Sequence, residues 1–206
     1  MKYILPLILY LLLPLALSSQ THFVQAEGNF VLKEGYLVLA NSHFTNNADF
    51  SSSDGTVKMS GAAATDQTTI GGSSTTTFNQ LEIAKTANNV ALAQAAKVDG
   101  KLTLSGGLLE LKTFNLTLLD MATTVVGAAN NRYVKTSGIG QLKMSVGAGE
   151  ATFPVGNSSY NPAKISNAGT ADVFGLRVED GVKTQLGMGT TIAHSTVSRV
   201  WQVTEA

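Results

Sequence analysis

From Phe30 to Val126 short apolar pairs recur with one residue between their members: Leu37/Leu39, Val57/Met59, Leu81/Ile83, Val90/Leu92, Leu102/Leu104, Leu109/Leu111 and Leu116/Leu118. A period of two puts both members on one side of an extended backbone, so each pair predicts a short strand. Between the pairs stand Asp54-Gly55, Gly71-Gly72, Asn88-Asn89, Asp99-Gly100 and Gly106-Gly107, residue types that accept positive φ and close tight turns. The alanine-rich stretch from Asn89 to Val98 alternates through Val90, Leu92 and Ala96 and is read as strand and turn rather than helix.

Comparable units return after 19 to 24 residues: Val57-Lys58-Met59, Leu81-Glu82-Ile83 and Leu102-Thr103-Leu104 form one series, Val90-Ala91-Leu92 and Leu109-Glu110-Leu111 another. That interval suits one coil of a β-solenoid. The apolar pairs then point inward, while Lys58, Glu82, Thr103, Glu110 and Thr117 decorate the outside. The competing architecture is an antiparallel β-sandwich throughout, which also has short alternating strands and frequent turns.

Near Asn130 the texture changes. Aromatics and prolines enter, and Tyr133-Val134-Lys135 through Phe153-Pro154-Val155-Gly156 reads as hairpins with Gly-rich loops. The expected organisation is a parallel β-solenoid over residues 20–129 and a smaller β-sandwich-like module over 130–206. Ser198 to Val203 alternates like a strand with Trp201 on one face, and an edge strand there lacks a following partner. The second module is therefore expected to be truncated and to continue beyond Ala206.

Residues 1–19 read as a secretory signal: Lys2, an apolar run from Ile4 to Leu17, and small residues Ala16, Ser18 and Ser19 before the cut. The run is shorter than the roughly 20 residues a spanning helix needs, and Pro6 and Pro14 interrupt it. The mature chain is expected to be exported without membrane insertion. Its lack of cysteine excludes disulfides and a lipidated cysteine. Lys plus Arg and Asp plus Glu both number 14, so no basic field draws nucleic acid. Charged residues are 14% of the chain, against about 25% in an ordinary domain, which fits turn-rich β structure.

Two stretches carry a resemblance. Thr76 to Ile83 followed by Val98 to Gly107, and Arg132-Tyr133-Val134 leading to Phe153-Pro154-Val155-Gly156 and Tyr160-Asn161-Pro162, resemble large secreted surface proteins of the Bacteroidetes group. The resemblance implies repetitive solenoid stalks, a β-rich module after them, type IX secretion across the outer membrane, and roles in adhesion or matrix building. It carries over no catalytic residue.

The search for chemistry finds little. His22, His43 and His194 are scattered, and with no cysteine they give no zinc-type spacing; His22 and His43 are read as solvent or turn residues. Asp49, Ser51 and Ser53 begin like a calcium loop, but Asp54 stands where glycine belongs and Ser60 where an acid belongs. Looser oxygen sites from Asp49 and Asp54, or from Asp172, Glu179 and Asp180, stay open beside a plain turn reading. Gly156-Asn157-Ser158-Ser159-Tyr160 lacks the second glycine of a nucleophile elbow. Gly138-x-Gly140 and Gly187-x-Gly189 lack the third glycine of a phosphate loop, with Lys143 and Ile192 in its place. Thr68, Thr69 and Thr75 to Thr77 do not recur in successive coils as an ice-matching face requires. Paired carboxylates for glycoside hydrolysis stay open, because acid pairs meet through folding rather than through sequence. Trp201, Phe153, Tyr160 and Phe174 are candidates for a sugar-stacking platform, with Phe153 and Trp201 assigned to the core.

The sequence thus gives a non-catalytic exported structural or adhesion module with no catalytic, cofactor or metal residues and no cofactor. Its expected partner is a surface glycan or protein, contacted weakly and many times. The alternative is an accessory or carbohydrate-binding part of a secreted polysaccharide-active enzyme.

Overall fold

The computed structural model describes residues 21–62, 67–120, 123–185, 188–192 and 198–205. The signal peptide expected over residues 1–19, Gly187 and His194 lie outside them. Every regular element among the described residues is a strand.

The first coil comprises β1 (Thr21–Gln25), β2 (Asn29–Leu32) and β3 (Tyr36–Ala40), and the second β4 (Ser42–Asn46), β5 (Asp49–Ser52) and β6 (Thr56–Gly61). The third holds β7 (Thr68–Gly71) and the long β8 (Thr76–Lys85), and the fourth β9 (Val90–Leu92) and the long β10 (Ala96–Gly106). The fifth contains β11 (Leu109–Glu110), β12 (Leu116–Leu118) and β13 (Thr124–Val126), and the sixth β14 (Val134–Lys135), β15 (Leu142–Val146) and β16 (Ala151–Phe153). Then come β17 (Val155–Gly156), β18 (Ala163–Ile165), β19 (Asp172–Asp180), β20 (Lys183–Gln185), β21 (Met188–Thr191) and β22 (Arg199–Glu205).

Stacking these coils makes a β-solenoid of about six turns with three walls. The first wall is a parallel sheet in the order β1-β4-β7-β9-β11-β14-β17. The second begins with β2 and β5 and runs on through the N-terminal halves of β8 and β10 to β12 and β15. The third joins β3, β6, the C-terminal halves of β8 and β10, and β13. These parallel ladders exclude the antiparallel sandwich for the coiled part. One coil spans from 19 residues, Val90 to Leu109, up to 26, Phe44 to Ile70.

The two sequence series align as read: Val57, Leu81 and Leu102 stack in register, as do Met59, Ile83 and Leu104, and Leu109 stacks on Val90. All eight of these residues are buried. Leu116 and Leu118 belong to a different wall, stacked on Ala96 and Val98. Asp99-Gly100 does not break the strand. β10 runs through it, with a register irregularity between Val98 and Lys101 where the backbone turns from the second wall to the third.

Inside the first three coils the core is aromatic. Phe23, Phe30, Phe44, Phe50 and Phe78 contact one another at centroid separations of 5.1 to 5.8 Å. Later coils fill the same space with Leu, Val and Ile, each fully buried aliphatic side chain contributing about 1.5–3 kcal/mol.

Parallel pairing continues through residue 130, since β11 pairs β14, β14 pairs β17, and β12 pairs β15. Antiparallel pairing with the solenoid wall begins at β19, which adds to β15, and β22 adds to β19. Leu176 and Val178 of β19 are fully buried in the solenoid core, so this strand closes the end of the last coil. A buried hydroxyl fixes it there: Val178 N–H donates to Thr136 Oγ1 at 2.8 Å.

Candidate functional site

The outward residues are arranged in rows, because register places one residue of each coil directly over its counterpart in the next. On the third wall Lys58, Glu82 and Thr103 stand in line, as the alternation predicted. Lys58 Nζ lies 3.0 Å from Glu82 Oε1, and Ser105 Oγ donates to the same oxygen at 2.8 Å. Burial pushes the Glu82 carboxyl up, but Ser105 and Lys58 together hold it below its ordinary value.

On the first wall Glu110 is the corresponding hub. It accepts from Gln67 Nε2 at 2.8 Å and Ser137 Oγ at 2.6 Å, and Lys135 Nζ lies 3.4 Å away. Burial opposes its ionisation; the hydrogen bonds from Ser137 and Gln67 and the charge of Lys135 outweigh it, so its pKa is lowered. Farther along this wall His22 and His43, read as separate solvent or turn residues, stack with ring centroids 4.5 Å apart. Their 21-residue separation is one coil, the signal that would have paired them. Thr69 N–H donates to His43 Nδ1 at 3.1 Å, which leaves Nε2 as the protonated nitrogen of the neutral ring.

The glycines of the sequence motifs serve coil stacking. A Cβ at Gly138 would lie 2.2 Å from Lys112 O, and one at Gly140 2.2 Å from Phe114 O. A Cβ at Gly156 would lie 2.1 Å from Ser159 O and 2.7 Å from Tyr133 Cε2, which accounts for the last residue of Phe-Pro-Val-Gly. Ser158 and Ser159 of the rejected elbow accept from Arg199 Nη2 at 2.9 and 3.1 Å. Arg199 also donates through Nε to Asn161 Oδ1 at 3.2 Å and through Nη1 to Ser198, and it pairs with Asp180 at 3.1 Å. With all its donors engaged, Arg199 clamps the 156–161 loop to β22.

Thr68 and Thr76 are buried and bond Lys85 Nζ and Asn46 Nδ2 respectively, so neither belongs to an outer threonine face. The backbone amides of Asp49 and Asp54 bond Gly28 O and Lys33 O as ordinary coil contacts. Asp172 and Asp180 stand at opposite ends of β19, and Glu179 pairs with Arg177. No group of three or more His, Asp or Glu side chains placed to hold a metal occurs among the described residues.

Of the aromatic candidates, Phe153 is in the core as assigned and Phe174 packs against it. Trp201 is not in the core: it is 40% exposed, because β22 is the outermost strand of its sheet. Its indole N–H donates to Asn161 O at 3.1 Å. Tyr160 leans on buried Tyr133 at 5.7 Å, while Tyr133 O–H holds Asn157 O at 2.9 Å. A pocket of about 450 Å³ opens between Asp120, Thr123, Thr124 and Val125 on one side and the Met144 to Thr152 turn on the other, with Asp120 and Glu150 on its wall. Glu150 is paired with Lys164 at 2.7 Å.

No family model, curated protein or solved structure matches this chain.

Proposed function

We propose that the chain is a non-catalytic, exported surface module, a rod whose outer walls make weak contacts repeated over many copies. The supporting observation is the ordered set of outward rows, where hydroxyls, amides and mutually paired charges recur from coil to coil over a closed apolar core. Such walls offer modest affinity per contact, and display in many copies converts that into firm attachment. The signal-like N-terminus and the resemblance to secreted Bacteroidetes surface proteins point to the same address.

The second reading, an accessory or carbohydrate-binding part of a polysaccharide-active enzyme, draws support from the exposed Trp201 ring, since aromatic faces stack on sugars.

Beads coated with the full-length chain at graded density test the adhesive reading. Cell attachment should rise more steeply than in proportion to density, and soluble chain should compete poorly. Attachment linear in density, or release of reducing sugar from a polysaccharide panel by the chain alone, would overturn it.

A further inference from the structure

Across the second wall the register sets Thr77, Lys97, Thr117 and Lys143 side by side in one row on four successive strands, and Gly175 and Thr204 continue it on β19 and β22. The row alternates hydroxyl and amino groups. Its lysines are 46 residues apart in sequence and two strands apart in space, so one coil separates them.

Neither lysine is committed to a partner. Lys58, Lys135 and Lys164 each pair with a carboxylate, whereas no ion pair involves Lys97 or Lys143 among the described residues. Gly175 follows Lys143 in the row, and Thr204 Oγ1 donates to Gln141 Oε1 at 3.1 Å over it, so amide and hydroxyl groups border the lysine on that flank. Two residues before Thr117 and Lys143 stand Asn115 and Gln141, which add side-chain amides.

We propose that this row is a binding track for an acidic polysaccharide, a chain of uronate sugars lying along the solenoid axis. The proposal rests on the adhesive reading and names its ligand. Strands about 4.8 Å apart put the two lysines about 10 Å from each other, close to the advance of two rings in an extended β-linked sugar chain. Carboxylates on every second ring then face successive lysines, and Thr77, Thr117, Asn115 and Gln141 meet the ring hydroxyls. A nucleic acid strand, with a charge roughly every 3.4 Å along its axis, matches neither the spacing nor the balanced charge of the chain.

Electrophoresis of the full-length chain through gels containing alginate, or neutral dextran, tests the track. Alginate should retard the parent and dextran should not. Lys97→Gln with Lys143→Gln should weaken alginate binding about tenfold, as the loss of two solvent-exposed ion pairs implies. Lys33→Gln, on a turn of the first coil, should leave it unchanged. The pair Thr77→Lys and Lys97→Thr keeps every charge but stretches the spacing to about 14 Å, and it should bind as weakly as the double glutamine variant. Circular dichroism checks that each variant stays folded.

Retardation of the stretched variant equal to the parent would reduce the effect to bulk charge and overturn the track. So would equal retardation by dextran, or none by alginate. If alginate binding fails while coated beads still attach to cells, the track alone falls; if both fail, the adhesive reading falls with it.

Discussion

Lys85 donates from its amino group to Asn41 Oδ1 at 2.9 Å, two coils away, passing over Gly61, which has no side chain to obstruct it. Lys85 is only 1% exposed, and its other partner is the buried Thr68 hydroxyl at 3.1 Å. A cation enclosed with no carboxylate paired to it among the described residues is disfavoured, and burial lowers its pKa.

A pH dependence follows from that burial. Between the lowered pKa in the fold and the ordinary value near 10.4 the unfolded chain binds the extra proton, so stability rises with pH through that window. Lys85→Met keeps most of the volume and removes the proton. The parent's Tm should climb relative to this variant from neutral to alkaline pH, and parallel Tm curves would contradict the assignment.

Glu110 gives the opposite sign. Its pKa is lowered in the fold, so its contribution is fully present above the unfolded value near 4.3 and is lost as pH falls through the folded one. Glu110→Gln should cost about 1.5–3 kcal/mol at pH 7, since a hydrogen bond to a charged group is worth that much. Urea titrations at pH 7 and at pH 3 check it, and an undiminished difference at pH 3 would refute it.

The stacking role of Gly156 is open to a paired comparison. Gly156→Ala drives a methyl into Ser159 O and the Tyr133 ring and should cost about 1–3 kcal/mol. Gly149→Ala meets nothing within 4 Å and should stay within about 0.5 kcal/mol of the parent in the same denaturation experiment.

Much of the fold was legible because an inward pair such as Val57/Met59 must repeat wherever a coil repeats, and a period of two survives changes of residue type. Wall assignment was not legible. Leu116/Leu118 looks like the other pairs, yet it stacks on Ala96 and Val98, since coils of unequal length let neighbouring pairs fall on different walls. The change of composition near Asn130 lies inside continuous parallel ladders, because backbone pairing tolerates new side chains where the inward residues Val134, Leu142 and Val155 stay apolar.

Site features were harder to read for the same reason. His22 and His43 become neighbours, and Lys97 and Lys143 fall into one row, only once coil lengths are known. Lys85 ends a strand as many surface lysines do, and its burial depends on Asn41 and Gly61 in other coils. Trp201 alternates like a core residue, but no layer of the described structure covers its edge strand.

The central claim is that the coils stack in register, and the absence of native cysteine makes spin labelling direct. Val38, Lys58, Glu82, Thr103 and Val126 form one outward row, with exposed valines at its two ends. Labels on Val38→Cys and Val126→Cys should give a narrow distance distribution centred at about 20 Å, four strand spacings apart. A broad distribution, or one centred beyond about 35 Å, would contradict the stacked solenoid and the surface built on it.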